Sequence, residues 1–319
     1  MRFAQKTLDQ TISFSASSRQ VLNIPKQGFI THMDLLLHLN VTTDSGGATP
    51  REDALAKIIN SLRIISAGAK THLLIPDGRL LKYLNYYDYQ GILREDDLPT
   101  SASVTSDVYA LWRIHFGYDP REKFDLTVVL PTPELQNPQM IVEWGSASDL
   151  GSGYTINSGE ITVTLYQVLF EEGEDPSDLW TEGYVEPIWD ATKIDISETK
   201  SDLGEQTAIP VGNVLVRALL LVVDSSDLRS DSEVDEVGVI LPREGVIPFR
   251  VKWNTLVSRD YTDYALPSKV TGVGMIDAEE LGQVPFGLDL SEYDVGEILL
   301  GFTTIATGGD IYILYQQVT

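Results

Sequence analysis

Three pairs of segments recur in the same order in the two halves of this 319-residue chain. Fixed-order similarity between distant segments indicates duplication. In the first pair, Ile24-Pro25-Lys26-Gln27-Gly28-Phe29-Ile30 precedes Leu35-Leu36-Leu37, as Ile209-Pro210-Val211-Gly212-Asn213-Val214-Leu215 precedes Leu219-Leu220-Leu221. In the second, Tyr86-Tyr87-Asp88-Tyr89 follows Leu81 at the spacing with which Tyr261-Thr262-Asp263-Tyr264 follows Leu256. In the third, Gly159-Glu160-Ile161 opens a segment ending in Leu165-Tyr166-Gln167, and Gly309-Asp310-Ile311 opens one ending in Leu314-Tyr315-Gln316. The offsets are 185 from Pro25 to Pro210, 175 from Tyr86 to Tyr261 and 150 from Gly159 to Gly309, so the second copy has shorter connections.

Each copy reads as β-structure. Its apolar segments are short, rich in Val, Ile, Leu, Thr and Tyr, and bounded by Gly, Pro, Asn, Asp and Ser. The expected strands are Phe29–Val41, Ser61–Ser66, Thr71–Leu84, Val108–Phe116, Phe124–Leu130, Met140–Trp144 and Ile161–Leu169, then Val214–Val223, Val237–Leu241, Val246–Val257, Ser268–Met275, Ile298–Ile305 and Ile311–Val318. Seven strands and then six suggest two sandwiches. Helix is expected only in small pieces, at Asp53–Ile59 and over one turn at Ala278-Glu279-Glu280-Leu281. The Leu35-Leu36-Leu37 and Leu219-Leu220-Leu221 runs suit strands buried on both faces, whereas Ile161-Thr162-Val163-Thr164-Leu165 alternates like a strand with one polar face. Residues 1–172 form the expected first domain and 193–319 the second, joined by 173–192, whose acidic Glu171–Asp178 stretch carries Pro176.

Composition narrows the function. With 47 acidic against 23 basic residues the formal charge is −24, which argues against a phosphate-binding surface and direct nucleic-acid binding. The absence of cysteine removes disulfides, thiolate metal sites and cysteine nucleophiles. The four histidines, His32, His38, His72 and His115, all lie in the first 115 residues. There is no His-x-His of a cupin metal site, no Gly-x-Ser-x-Gly elbow and no phosphate-binding Gly-x-x-x-x-Gly-Lys-Ser/Thr loop. His32 and His38 share a strand face and read as a packed or surface pair. Glycoside hydrolysis needs only two carboxylates, and Glu143 beside Trp144 is the best single candidate, with nothing to identify its partner. The Met1-Arg2-Phe3-Ala4-Gln5-Lys6 start lacks the apolar stretch of a signal peptide. The longest apolar run, Val214–Val223, contains Arg217 and is too short for a membrane helix, so a soluble subunit is expected. The Asn40-Val41-Thr42 sequon carries no weight without a secretory route.

Two tandem sandwiches without catalytic motifs resemble the double jelly-roll major capsid proteins of the adenovirus-hexon lineage. The resemblance rests on the Ile24-Pro25 and Ile209-Pro210 turns with their strands, the paired Tyr-x-Asp-Tyr segments and the two closing strands, over nearly the whole chain. It is architectural, with no short family motif behind it. It implies an all-β fold of two tandem eight-stranded jelly-roll β-sandwiches with minor helical turns. It further implies a non-enzymatic structural protein that trimerises into pseudo-hexameric capsomers and tiles an icosahedral shell, assembled in the host cytoplasm. The implied partners are further copies of the chain, neighbouring capsomers, minor capsid or vertex proteins and an internal membrane. No catalytic, cofactor or metal residue is assigned. Segments Thr42–Arg51 and Asp224–Glu236 are candidate surface loops. Asp224, Asp227, Asp231, Glu233, Asp235 and Glu236 match no ordered calcium loop and read as a solvated acidic loop. The Tyr-x-Asp-Tyr pair suits either sugar stacking or, preferably, duplicated packing near strand ends. Leu179-Trp180 and Ile188-Trp189 are candidates for sealing one barrel against the other. The competing reading is a tandem sandwich that binds carbohydrate or serves as a phage appendage module.

Overall fold

The computed structural model describes residues 3–117, 126–170, 184–278 and 287–319, and the chain divides into two compact units, Met1–Pro187 and Ile188–Thr319. The first unit contains β1 (Phe3–Ser13), β2 (Arg19–Asn23), β3 (Phe29–Thr43), α1 (Ala54–Lys57), β4 (Ile59–Ser66), β5 (Lys70–Ile75), α2 (Gly78–Tyr89), β6 (Thr105–His115), β7 (Gln139–Trp144), α3 (Ala147–Leu150) and β8 (Tyr154–Phe170). The second contains β9 (Pro187–Asp195), β10 (Lys200–Ala208), β11 (Val214–Val223), β12 (Val234–Leu241), β13 (Val246–Lys252), α4 (Trp253–Asp263), β14 (Val273–Asp277), β15 (Leu299–Thr304) and β16 (Asp310–Val318).

Within the first unit the strands hydrogen-bond in the orders β1-β8-β3-β6 and β2-β7-β4-β5. Within the second they do so in the orders β9-β16-β11-β14 and β10-β15-β12-β13. Adding eight to each strand of the first unit gives the second. The correspondence reaches two-residue pieces: Leu130–Pro131 pairs with Phe29 and Ile30 at the start of β3, and Leu288–Asp289 pairs with Val214 and Leu215 at the start of β11. Each unit is therefore a jelly roll, and the sequence repeat is a structural one. Both turns into the long strand use a glycine at positive φ, Gly28 (103°) and Gly212 (93°). At Gly28 a Cβ would also sit 2.5 Å from the Val168 carbonyl oxygen, so the turn tolerates only glycine.

Side-chain alternation builds the cores. On β3, Met33, Leu35, Leu37, Leu39 and Val41 are fully buried, while Asp34, Leu36, His38 and Asn40 are half-buried on the opposite face. Leu36 thus departs from the expected doubly buried run, whereas Leu219, Leu220 and Leu221 on β11 are all buried. The second core gathers Leu220 and Val222 of β11, Ile311 and Ile313 of β16, Val237 and Val239 of β12, Phe302 of β15, and Trp253 and Leu256 of α4.

The largest departure from the sequence reading concerns helices. Thr71–Leu84 is not one strand: β5 ends at Ile75, and after Pro76 the Asp77 side chain accepts a hydrogen bond from Arg79 N at 2.9 Å, capping α2. Val246–Val257 is likewise split into β13 and α4, and the Ser268–Met275 strand shrinks to Val273–Asp277. In both copies the helix follows the strand without a composition break, so the apolar residues of each join read as one segment. The polar strands β1, β2, β9 and β10 went unforeseen because their apolar content is low. The predicted helix at Asp53–Ile59 is a single turn, Ala54–Lys57, with Asp53 at φ 55°. Of the Phe124–Leu130 segment, 124 and 125 lie outside the described residues, and the rest contributes a Val128–Val185 bridge and Leu130 of the short pairing. Residues 173–183 of the predicted 173–192 linker, with Trp180, and most of the 278–281 turn also lie outside them. Among the described residues no helix is long and apolar enough to cross a membrane.

Candidate functional site

The duplicated Tyr-x-Asp-Tyr segments form the C-terminal ends of α2 and α4, not strand ends. In each roll the helix lies between the fifth and sixth strands, and the residue just before the motif does equivalent work. Asn85 Nδ2 donates to the Arg113 carbonyl at 2.7 Å while Arg113 N donates to Asn85 Oδ1 at 2.6 Å, on strand β6. At the aligned position Asp260 Oδ2 accepts from Met275 N at 2.7 Å, on strand β14. A buried helix side chain thus satisfies backbone groups of the sixth strand in both copies. The tyrosines diverge: Tyr86 and Tyr87 are buried in the first roll, Tyr261 is exposed in the second, and Tyr264 donates to Asp277 Oδ1 at 2.6 Å. Ring burial and local hydroxyl pairing fit the packing reading rather than a duplicated sugar platform.

Helix α2 is also held by buried charge. Arg79 forks onto Asp77 at 3.1 and 2.9 Å, and Lys82 Nζ lies 2.8 Å from Asp53 Oδ1 and 2.6 Å from Glu95 Oε2. Tyr83 Oη donates to the same Asp53 oxygen at 2.7 Å. None of these ion-pair residues stood out in the sequence, where isolated charges on an apolar helix carry no spacing signal.

The residues the sequence singled out are engaged separately. Glu143 on β7 receives Ser61 Oγ at 2.9 Å and Arg63 Nη2 at 2.5 Å. The Ser61 hydrogen bond and the Arg63 guanidinium hold its carboxyl below the usual carboxylate range, and Ser61 and Arg19 are its cross-strand neighbours. A carboxylate so ionised and paired is a sheet cross-link, not a general acid. Trp144 beside it is buried and meets Phe14 edge-to-face, with ring centroids 5.2 Å apart. His32 is buried and stacks on Tyr166 at 4.0 Å, while His38 stacks on Tyr109 at 4.7 Å and contacts Asp107 at 3.0 Å; the two do not converge. Trp189 is buried on β9.

The two candidate loops, Thr42–Arg51 and Asp224–Glu236, are topological equivalents, each leading from the third strand of its roll to the fourth. The second is not a uniformly solvated acidic loop. Asp224 Oδ1 accepts from Ser226 N and Leu228 N, at 2.7 and 3.0 Å, closing a turn. Asp231 Oδ1 accepts from the buried Trp253 indole and from Gly272 N, each at 2.8 Å. Glu233 is buried, and Asp235 and Glu236 pair with Lys252 and Arg250 across β12 and β13. Among the described residues no group of three His, Asp or Glu side chains is placed to hold a metal ion. The second roll also bears an open cleft of about 680 Å³ lined by Arg243, Glu244, Asp289, Glu292, Tyr293 and Glu297, with Arg243 2.8 Å from Glu297.

No protein-family model matches the chain, and no curated protein matches it in sequence. Solved structures match it in fold. The STIV MCP, from Sulfolobus Turreted Icosahedral Virus, superposes with a TM-score of 0.82 at 19% identity, over 100% of this chain and 97% of that one. The major capsid protein P2 of bacteriophage PM2 gives 0.60 at 14% identity, over 100% and 98%. The PBCV-1 virus capsid gives 0.61 at 10% identity, over 99% and 94%. These likenesses span both rolls, and together with the two identical strand orders they define the fold: the chain is a double jelly-roll protein.

Proposed function

We propose that this protein is the major capsid protein of a tailless icosahedral virus. The observation that carries the reading is the doubling itself: one chain holds two rolls of identical strand order, and its structural likenesses to major capsid proteins run the length of both chains. Three such chains around a threefold axis place six similar barrels in a ring, so one subunit fills a near-hexagonal lattice position. On this reading the protein acts without catalysis, as a homotrimer contacting neighbouring capsomers in the virion shell. Minor capsid or vertex proteins and an internal membrane are further contacts, and assembly takes place in the host cytoplasm. The acid excess serves as a hydrated coat that keeps unassembled subunits apart.

Size-exclusion chromatography with light scattering tests the oligomer, with an expected mass of about 106 kDa, three times 35.3 kDa. Electron microscopy of expressed protein is expected to show hexagonal capsomers or closed shells. A monomer that binds glycans at every concentration tried would overturn the proposal in favour of a carbohydrate-binding module.

A further inference from the structure

We infer that Lys82 and Asp53 are the site of an intramolecular isopeptide cross-link, with Glu95 as its proton carrier. Three features converge on one buried point of the first roll. Lys82 Nζ is 2.8 Å from Asp53 Oδ1 and 2.6 Å from Glu95 Oε2. The lysine side chain is 9% exposed, the aspartate 3% and the glutamate 15%. Tyr83 Oη donates to Asp53 Oδ1 at 2.7 Å, the oxygen on which charge would build as nitrogen attacks its carboxyl carbon. An amine and a carboxyl held at contact distance out of water have the proximity that makes a slow condensation intramolecular.

Asp53 is the more deeply buried acid, and the tyrosine hydroxyl polarises it. Glu95 is the more exposed, and it offers the expelled water a way out. In the step, the Glu95 carboxylate takes a proton from the Lys82 ammonium, and the freed Nζ lone pair attacks Asp53 Cγ. The C–N bond forms, and the Asp53 oxygen not held by Tyr83 leaves as water. That water takes one proton from Glu95 and one from the attacking nitrogen. Ammonium and carboxylate thus become one amide and one water, Glu95 returns to its starting state, and no oxidant or co-reactant is required. The bond would join the start of α1 to α2 and fasten the helix covalently to its roll. The second roll has no counterpart, because the position aligned with Lys82 is Val257, a buried residue of α4.

Intact-mass spectrometry of the denatured full-length chain tests this directly. The expected mass is one water below that of the sequence, and proteolysis is expected to yield a branched peptide joining the Asp53 and Lys82 segments. Lys82→Arg, which keeps the charge but supplies no usable nucleophile, should return to full mass, and Glu95→Gln should leave most of the chain uncross-linked. Wild-type chain at full mass after prolonged incubation overturns the inference. So does a water loss that maps to Asp77-Gly78 as a backbone imide. The wild-type mass decides the question even where a variant fails to fold.

Discussion

Helices α2 and α4 occupy the same place in two rolls of the same strand order, yet different chemistry holds them down. In the first roll the helix begins at Gly78, packed so closely that a Cβ would sit 2.2 Å from the Ala56 carbonyl oxygen, and ion pairs through Arg79 and Lys82 secure it. In the second the aligned residue is Trp253, fully buried and hydrogen-bonded to Asp231, with Leu256 and Val257 beneath it. Of what the helices do, the sixth-strand backbone contact made by Asn85 and Asp260 was kept in both copies. The duplication preserved what the strand requires and let the means of anchoring drift from ionic to aromatic.

That contrast can be broken at its strongest point first. Trp253→Ala removes a large buried ring and should destabilise the second roll by about 3–5 kcal/mol, measured as a lowered denaturant midpoint. The mirror substitution, Gly78→Ala, adds one methyl against a backbone carbonyl and should cost about 1–3 kcal/mol in the first roll alone. A Trp253→Ala chain as stable as wild type would mean that the aromatic anchor is not what holds α4.

Removing the shared device comes next in size. Asn85→Leu and Asp260→Leu each leave backbone groups of the sixth strand unpaired, at about 1–3 kcal/mol per orphaned group. Asn85 serves both a donor and an acceptor, so its replacement should be the more damaging. Hydrogen exchange of the Arg113 and Met275 amides reads the local effect, and equal protection before and after would refute the contact.

A pH series sharpens the difference between rolls, since all four histidines belong to the first. His72 is buried and accepts or donates at Ser66 Oγ, 2.7 Å away, with Glu186 3.9 Å from its other nitrogen. Burial, reinforced by Lys70 and opposed by Glu186, pushes its pKa down, so the folded state holds the neutral ring. Its contribution is therefore complete above the unfolded pKa of about 6.5 and is lost as pH falls below it, at up to about 1.4 kcal/mol per pH unit. His72→Gln should flatten that dependence between neutral and mildly acidic pH, and a parallel curve would exclude His72 as the cause. The smallest effect is expected at Arg250, whose pairs with Glu236 and Asp202 lie at the surface; Arg250→Ala should leave the midpoint of the second roll unchanged at moderate salt.

Much of the fold was legible in the residues. Val214–Val223 is a strand over the stated range, the closing strands Ile161–Leu169 and Ile311–Val318 lie within β8 and β16, and the ordered repeat announced two rolls. The α2 and α4 helices were not legible, because each continues an apolar strand across a short turn and the window mixes periods of two and 3.6. The acidic segment 224–236 read as solvated since a count of carboxylates says nothing about donors arriving from elsewhere. The Asp231 partners, Trp253 and Gly272, are 22 and 41 residues away in the chain.

The sequence by itself determined the duplication, the β class and the turn glycines, because these follow from local periodicity and backbone sterics that neighbouring residues carry. Tertiary structure alone decided that the Tyr-x-Asp-Tyr repeat is helical, that Asn85 and Asp260 are equivalent, and that Lys82 meets Asp53 and Glu95. Those facts depend on which distant groups fold against one another, and the energy of a buried charge or an unpaired amide is set by its surroundings, not by its neighbours in the chain.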